Sequence, residues 1–125
     1  MSNITFGRVQ LRIMQVLWKK KRANAIEIAR ELNKVAPIAH STVQTLLRKL
    51  EQKGAIDHDI KDRTFIFYPL VDAEKTTRYI TRDLIDRVFG GSPAGMLSHL
   101  LKYEKISPEE LEKIRELINN KGKSP

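Results

Sequence analysis

Apolar residues recur at intervals of three and four along the first fifty positions. Val9, Ile13 and Val16 or Leu17, flanked by Met14 and Trp18, predict a helix from a Thr5 cap to about Lys19. After the run Lys19-Lys20-Lys21-Arg22, Asn24 stands three residues before Glu27. That is a capping-box pattern with Asn in place of Ser or Thr, and Ile28 and Leu32 give the short helix behind it an apolar face ending near Asn33. Pro37 interrupts the pattern. A third helix is predicted from about Ser41, with Val43, Leu46, Leu47 and Leu50 at i, i+3, i+4 and i+7 and Gly54 just past its end. The period then changes to two. Ile56, His58 and Ile60 alternate with polar residues, Lys61-Asp62-Arg63 supplies a turn, and Thr64-Phe65-Ile66-Phe67-Tyr68 is rich in aromatic and β-branched residues, so a hairpin closed by Pro69 is predicted.

Beyond Val71 the helical period returns. Asp72 is placed to cap a helix reaching Phe89, with Ile80, Leu84 and Val88 on one face, Ile85 and Phe89 beside them, and Gly90-Gly91 as the stop. Ser92-Pro93 and Ser107-Pro108 each pair a cap with proline at the first helical position. Met96, Leu97, Leu100 and Leu101 mark the first of these helices. Leu111, Ile114, Leu117 and Ile118 mark the second, which Gly122 is expected to end, leaving a frayed Lys123-Ser124-Pro125. The fold class is therefore mainly α with a small β-hairpin. Helix, helix, helix, hairpin is the order of an N-terminal winged helix-turn-helix, here followed by a C-terminal helical region.

Charge separates the two parts. Of 125 residues, 41% are hydrophobic and 30% charged, with a formal net charge of +8 and a pI near 9.9. Residues 1–71 hold 13 Lys/Arg against 6 Asp/Glu, whereas residues 72–125 hold 10 against 9. The first part carries the electrostatic footprint of a polyanion binder and the second is nearly neutral, which assigns 1–71 to DNA binding and 72–125 to dimerisation. There is no cysteine, so disulfides, thiolate metal sites and cysteine nucleophiles are excluded. No apolar run approaches the roughly 20 residues of a membrane span, and MSNITFGR has no signal-peptide pattern, so no membrane insertion and a cytoplasmic location are expected.

The third helix carries Ser41, Thr42, Gln44, Thr45, Arg48 and Lys49 opposite its leucines. In a helix-turn-helix this later helix enters the major groove with its N-terminal residues toward base edges. Gln bonds adenine, Thr offers a hydroxyl or meets a thymine methyl, and Arg reaches guanine. Ser41, Thr42, Gln44, Thr45 and Arg48 are accordingly assigned to base readout. His40, Lys49, Lys61 and Arg63 are assigned to the DNA backbone, where cations displace condensed counterions. Trp18, Phe65 and Phe67 read as core. Asp57 and Asp59 share a hairpin face that would repel phosphate. His40, His58 and His99 are not at ligand spacing and no carboxylate cluster accompanies them, so no metal is expected. No catalytic pair, activated nucleophile or phosphate-binding loop is present, so no cofactor and no enzyme activity are expected.

The stretch STVQTLLRKLEQKG, Ser41 to Gly54, resembles the recognition helix of the penicillinase and methicillin-resistance repressor family (BlaI/MecI/CopY type). Thr42, Thr45, Leu46, Leu47, Leu50, Lys53 and Gly54 fit its Thr-x-x-Thr-Leu-Leu/Ile-x-x-Leu-x-x-Lys-Gly pattern. Leu17-Trp18, Ile66-Phe67-Tyr68 and Phe89-Gly90-Gly91 match in the same order, so the resemblance spans nearly the whole chain. It implies a homodimeric repressor on a palindromic operator, acting on β-lactam resistance genes and relieved by proteolysis after a membrane sensor protease responds. Where the family's cleaved Asn-Phe bond falls, this chain has His99-Leu100. Where penicillinase repressors carry a base-reading Arg, it has Gln44, which implies a different operator. Copper-responsive relatives use C-terminal cysteines, which this chain lacks.

The dimer seam is expected from Leu84, Val88, Leu97, Leu101, Leu111, Ile114 and Ile118, whose stripes a lone chain would leave exposed. The alternative is a winged-helix protein-interaction module whose basic face meets an acidic protein partner.

Overall fold

In the computed structural model, which describes residues 4–123, the chain forms six helices and one hairpin. The order is α1 (Arg8–Lys20), α2 (Ala25–Asn33), α3 (His40–Gln52), β1 (Ile56–Lys61), β2 (Thr64–Pro69), α4 (Ala73–Val88), α5 (Pro93–Tyr103) and α6 (Pro108–Lys123).

The local signals act largely as the sequence predicts. Asn24 Oδ1 accepts from the Glu27 N–H at 2.9 Å while the Asn24 N–H donates to Glu27 Oε1 at 2.9 Å, a complete capping box for α2. Asp72, Ser92 and Ser107 each accept the N–H three residues on, from Lys75, Gly95 and Glu110. Gly54, at φ 81°, closes α3 in a Schellman turn, with Ala55 N–H to Leu50 O at 3.0 Å and Gly54 N–H to Glu51 O at 2.9 Å.

Helix α4 ends at Val88, one residue short of the expected Phe89, and three further boundaries differ. The cap of α1 is Gly7, not Thr5. The Gly7 N–H donates to Oε1 of Gln10, which is buried, so drawing Gln10 inward fixes the first turn two residues later. The freed Thr5 carbonyl accepts from Lys53 Nζ at 2.7 Å. Helix α3 begins at His40, one residue before Ser41, on an Ala39 cap without a side-chain bond. Gly122 stays helical and α6 runs on to Lys123, since nothing forces the left-handed backbone that ends a helix at glycine. Ser124 and Pro125 of the expected tail lie outside the described residues.

Two compact units divide the chain, one ending at Ile80 and the other beginning at Thr81, within α4. In the first, Ile13, Met14 and Leu17 of α1, Ile28 and Leu32 of α2, Val43, Leu47 and Leu50 of α3, and Ile56 and Phe67 of the hairpin are all buried. Each large apolar side chain here contributes about 2–5 kcal/mol against truncation to Ala. The hairpin is antiparallel, with Ile56 opposite Pro69 and Lys61 opposite Thr64. Ala23 adds a third, one-residue strand, exchanging both backbone bonds with Phe67 at 3.0 and 2.8 Å. Trp18 lies half-buried against this core and its indole N–H donates to Val71 O at 2.9 Å, tying the end of the hairpin to α1.

In the second unit Ile85 is the one buried apolar side chain among the described residues. Leu84, Val88, Leu100, Leu101, Leu117 and Ile118 are all exposed. Arg82 pairs with Asp86 and Arg87 with Asp83 along the solvated face of α4. No helix among the described residues is long and apolar enough to cross a membrane.

Candidate nucleic-acid interface

Burial of Val43, Leu47 and Leu50 turns the opposite face of α3 outward. Ser41, Thr42, Gln44, Thr45, Arg48 and Lys49 are all exposed there, and His40 begins the same helix. Thr45 Oγ1 donates to the Ser41 carbonyl at 3.0 Å and stands 3.4 Å from Arg48 Nη2. Its hydroxyl proton is thus spent on the helix, and its remaining lone pair faces the Arg48 guanidinium.

A groove of about 420 Å³ runs between the start of α2, the outer face of α3 and β2. It gathers His40, Gln44 and Arg48 from α3 with Arg63 from the hairpin turn, over apolar walls that include Ile26, Leu47, Phe65 and Phe67. Ser41, Thr42, Thr45, Lys49 and Lys61 do not line it. Ile26, 61% exposed at the second position of α2, carried no signal in the sequence beyond that of an ordinary helix face.

The hairpin tip departs from a simple core strand pair. Phe67 is buried as expected, but Phe65 is 45% exposed and its cross-strand neighbour Ile60 is 65% exposed. The strands outrun the helical core, so the alternation of the sequence loses its buried side near the turn. The turn itself is a two-residue type I′ connection, with Asp62 at φ 51° and Arg63 at φ 65°. Neither is glycine, so both occupy the left-handed region at a steric cost.

At the base of the hairpin the charges are organised. Asp59 pairs with Arg22, whose guanidinium lies 4.8 Å from the Tyr68 ring centroid. Burial, then the charges of Asp57 and Asp59, raise the Tyr68 phenol above its ordinary pKa of 10.0. His58 meets Glu51 through Nδ1 and stacks on Phe65 at 3.8 Å between ring centroids. The expectation that no carboxylates accompany a histidine therefore fails at His58. The Gly54 turn folds Glu51 of α3 back beside Asp57 and His58 of β1, a proximity that spacing along the chain does not reveal.

Of the expected seam residues, Leu84, Val88, Leu101 and Ile118 are exposed, while Leu97, Leu111 and Ile114 are half-buried. His99 and Leu100 lie within α5, where the His99 ring sits between Phe89 and Tyr103 at centroid distances of 5.7 and 4.7 Å.

A three-helix core with a two-stranded wing, and an exposed polar and basic third helix beside it, defines a winged helix-turn-helix regulator. Residues 6–120 match the penicillinase repressor family model, so the chain belongs to that family, whose members are transcriptional repressors rather than enzymes. It is 28% identical to the penicillinase repressor of Bacillus licheniformis over 109 residues, covering 87% of this chain and 85% of the relative. To the methicillin resistance regulatory protein MecI of Staphylococcus aureus it is 27% identical over 123 residues, covering 97% of this chain and all of the relative. Among solved structures, the DNA-binding domain of the repressor BlaI aligns at 32% identity with a TM-score of 0.53, covering 58% of this chain and 88% of that domain. The Bacillus licheniformis BlaI monomer, solved in complex with the blaP half-operator, aligns at 32% identity and a TM-score of 0.51, covering 58% of this chain and 89% of that one.

Proposed function

We propose that this chain represses transcription in the cytoplasm as a homodimer on a palindromic operator. The observation that carries the reading is the groove that gathers Gln44, Arg48, His40 and Arg63 on the outer side of α3, opposite the core. Exposed Ser41, Thr42 and Thr45 extend that face toward the start of the helix, where base edges are met. Gln44 and Arg48 read bases, with Thr45 holding Arg48 in place. His40, Lys49, Lys61 and Arg63 take the phosphates on either side. The reading is supported by the similar BlaI monomer, whose solution structure holds the blaP half-operator.

The dimer is supported by the apolar side chains that the second unit leaves exposed, Leu84, Val88, Leu101 and Ile118 among them. Leu97, Leu111 and Ile114 complete the proposed seam. A closed twofold dimer presents two recognition helices to half-sites about one DNA turn apart or a multiple of it. Following its relatives' names, the targets are β-lactam resistance genes. Relief is by a membrane sensor protease system acting at His99-Leu100. That bond lies in α5, so cleavage requires local unwinding of the helix.

The test is selection of duplexes from a random pool by the full chain, followed by titration against the selected site and a scrambled duplex of equal length. A palindromic site bound at least tenfold more tightly, by a species that sediments as a dimer, is the expected result. Equal affinity for both duplexes refutes sequence-specific repression, and a monomer bound to the full palindrome refutes the dimer.

A further inference from the structure

We propose that Glu51, Asp57 and His58 form a zinc site that ties the last turn of α3 to the base of the wing. One donor atom from each residue lies within 4.8 Å of the other two. Ligands around a tetrahedral zinc, at bonds of roughly 2.0–2.2 Å, stand about 3.3–3.6 Å apart. Rotation of the two carboxylate side chains about a fixed His58 closes that difference, because Asp57 is exposed and Glu51 is half-buried. Three protein donors leave a fourth position for water.

The surroundings favour a cation. Phe65 stacks on the His58 ring at an interplanar angle of 10°, and Phe67 flanks it at 5.7 Å, so the imidazole is held in place. Asp57 Oδ1 accepts the His58 backbone N–H at 2.8 Å, which orients the carboxylate and leaves its other oxygen available. In a chain of net charge +8, neither Glu51 nor Asp57 pairs with a lysine or arginine among the described residues; nearby Arg22 is taken by Asp59. The raised Tyr68 pKa, to which Asp57, Asp59 and Glu51 all contribute, reports the same local negative potential. One imidazole with two carboxylates suits zinc better than magnesium or calcium, which prefer oxygen alone.

A bound zinc neutralises two carboxylates beside the groove and stiffens the wing against α3. Both effects tighten binding to a polyanion, by lowering repulsion and by ordering the wing beforehand. This consequence rests on the DNA-binding function proposed above; the metal site itself does not.

The experiment titrates zinc into tag-free full-length protein by calorimetry, with Co²⁺ absorption as a spectroscopic probe and Trp18 fluorescence to follow melting. One zinc per chain, a higher Tm and a Co²⁺ ligand-field band are expected. Glu51→Gln and Asp57→Asn each weaken zinc binding by about tenfold or more. Asp57→Asn keeps the His58–Glu51 contact, so its metal-free Tm stays near that of the native chain. His99→Gln, in the other unit, leaves zinc binding unchanged. No zinc uptake at millimolar metal, or a zinc affinity in Glu51→Gln and Asp57→Asn equal to that of the native chain, overturns the site. Zinc uptake with unchanged affinity for the selected duplex overturns the coupling, whereas failure to select any duplex strikes the proposed function alone.

Discussion

Replacing Arg63 with glycine should move stability and DNA affinity in opposite directions. Arg63 holds φ 65° in the second position of the wing turn, with Asp62 at 51° before it. A left-handed conformation costs an L-residue about 1–2 kcal/mol. Glycine removes that cost but adds about 0.5–1 kcal/mol of unfolded-state entropy, so a net gain of about 0.5–1 kcal/mol is expected. For a unit of this size the gain raises Tm by about 2–8 °C. Trp18 is the sole tryptophan and bonds Val71 at the far end of the hairpin, so its fluorescence follows the unfolding of this unit. The same substitution removes one cation from the proposed phosphate-contacting set. Affinity for every duplex should fall, and the slope of log affinity against log salt should flatten by about 0.9. Arg63→Lys keeps the charge and the strain and should leave both readouts near native. A lower Tm for Arg63→Gly refutes the strain argument. An unchanged salt slope refutes the phosphate contact.

Gln44→Arg should shift the preferred base at one position per half-site from adenine toward guanine and steepen the salt dependence; a titration of all four bases at each position checks both. Thr45→Val keeps the shape of α3 but removes the oxygen facing Arg48, so discrimination at the base assigned to Arg48 in the proposed reading should drop by about 1–3 kcal/mol while scrambled duplex is bound as before. A chain ending at Ile80 should keep the Trp18 signal of a folded unit and sediment as a monomer. Tyr68 has a raised pKa, so its contribution to stability is full below the unfolded value near 10 and lost as pH rises through the higher folded value; melting above pH 10 should fall less steeply in Tyr68→Phe than in the native chain.

The parts of the fold that are legible in the sequence are those decided locally. The caps at Asn24, Asp72, Ser92 and Ser107 and the turn at Gly54 each act within three or four residues, and the apolar period of α3 names its own buried face. Where a distant partner decides, the sequence misleads. Gly7 supplants Thr5 because Gln10 is needed inside, and Lys53, the residue just past the end of α3, answers the Thr5 carbonyl across 48 positions. Phe65 and Ile60 look like core by alternation, yet the hairpin extends past the helices that would cover them. The same applies to the candidate site. The outward face of α3 follows from its leucines, but the joining of Arg63 to Gln44 and Arg48 across one groove, and of Glu51 to His58, depends on how the wing folds back.

The two units also differ in how their sequences spend apolar surface. In the first, three helices and a hairpin converge until Ile13, Met14, Leu17, Ile28, Val43 and Leu50 lose essentially all exposure. Burial at roughly 25 cal/mol per Å² of apolar surface is enough to order such a core. The second unit holds the latter part of α4 with the regularly capped and striped α5 and α6, but only Ile85 is buried there among the described residues. Caps contribute about 1 kcal/mol each, which sets where a helix begins rather than what holds three helices together. In the proposed dimer the missing contribution comes from covering Leu84, Val88, Leu101 and Ile118. A second copy of the chain supplies a matching surface by symmetry, because a twofold axis sets each stripe against its own equivalent. In the proposed dimer, then, the neutral charge of this half has a physical reason. Two copies of a region as basic as the first would repel across the axis, whereas the 10 Lys/Arg and 9 Asp/Glu of residues 72–125 nearly balance and let the apolar stripes meet.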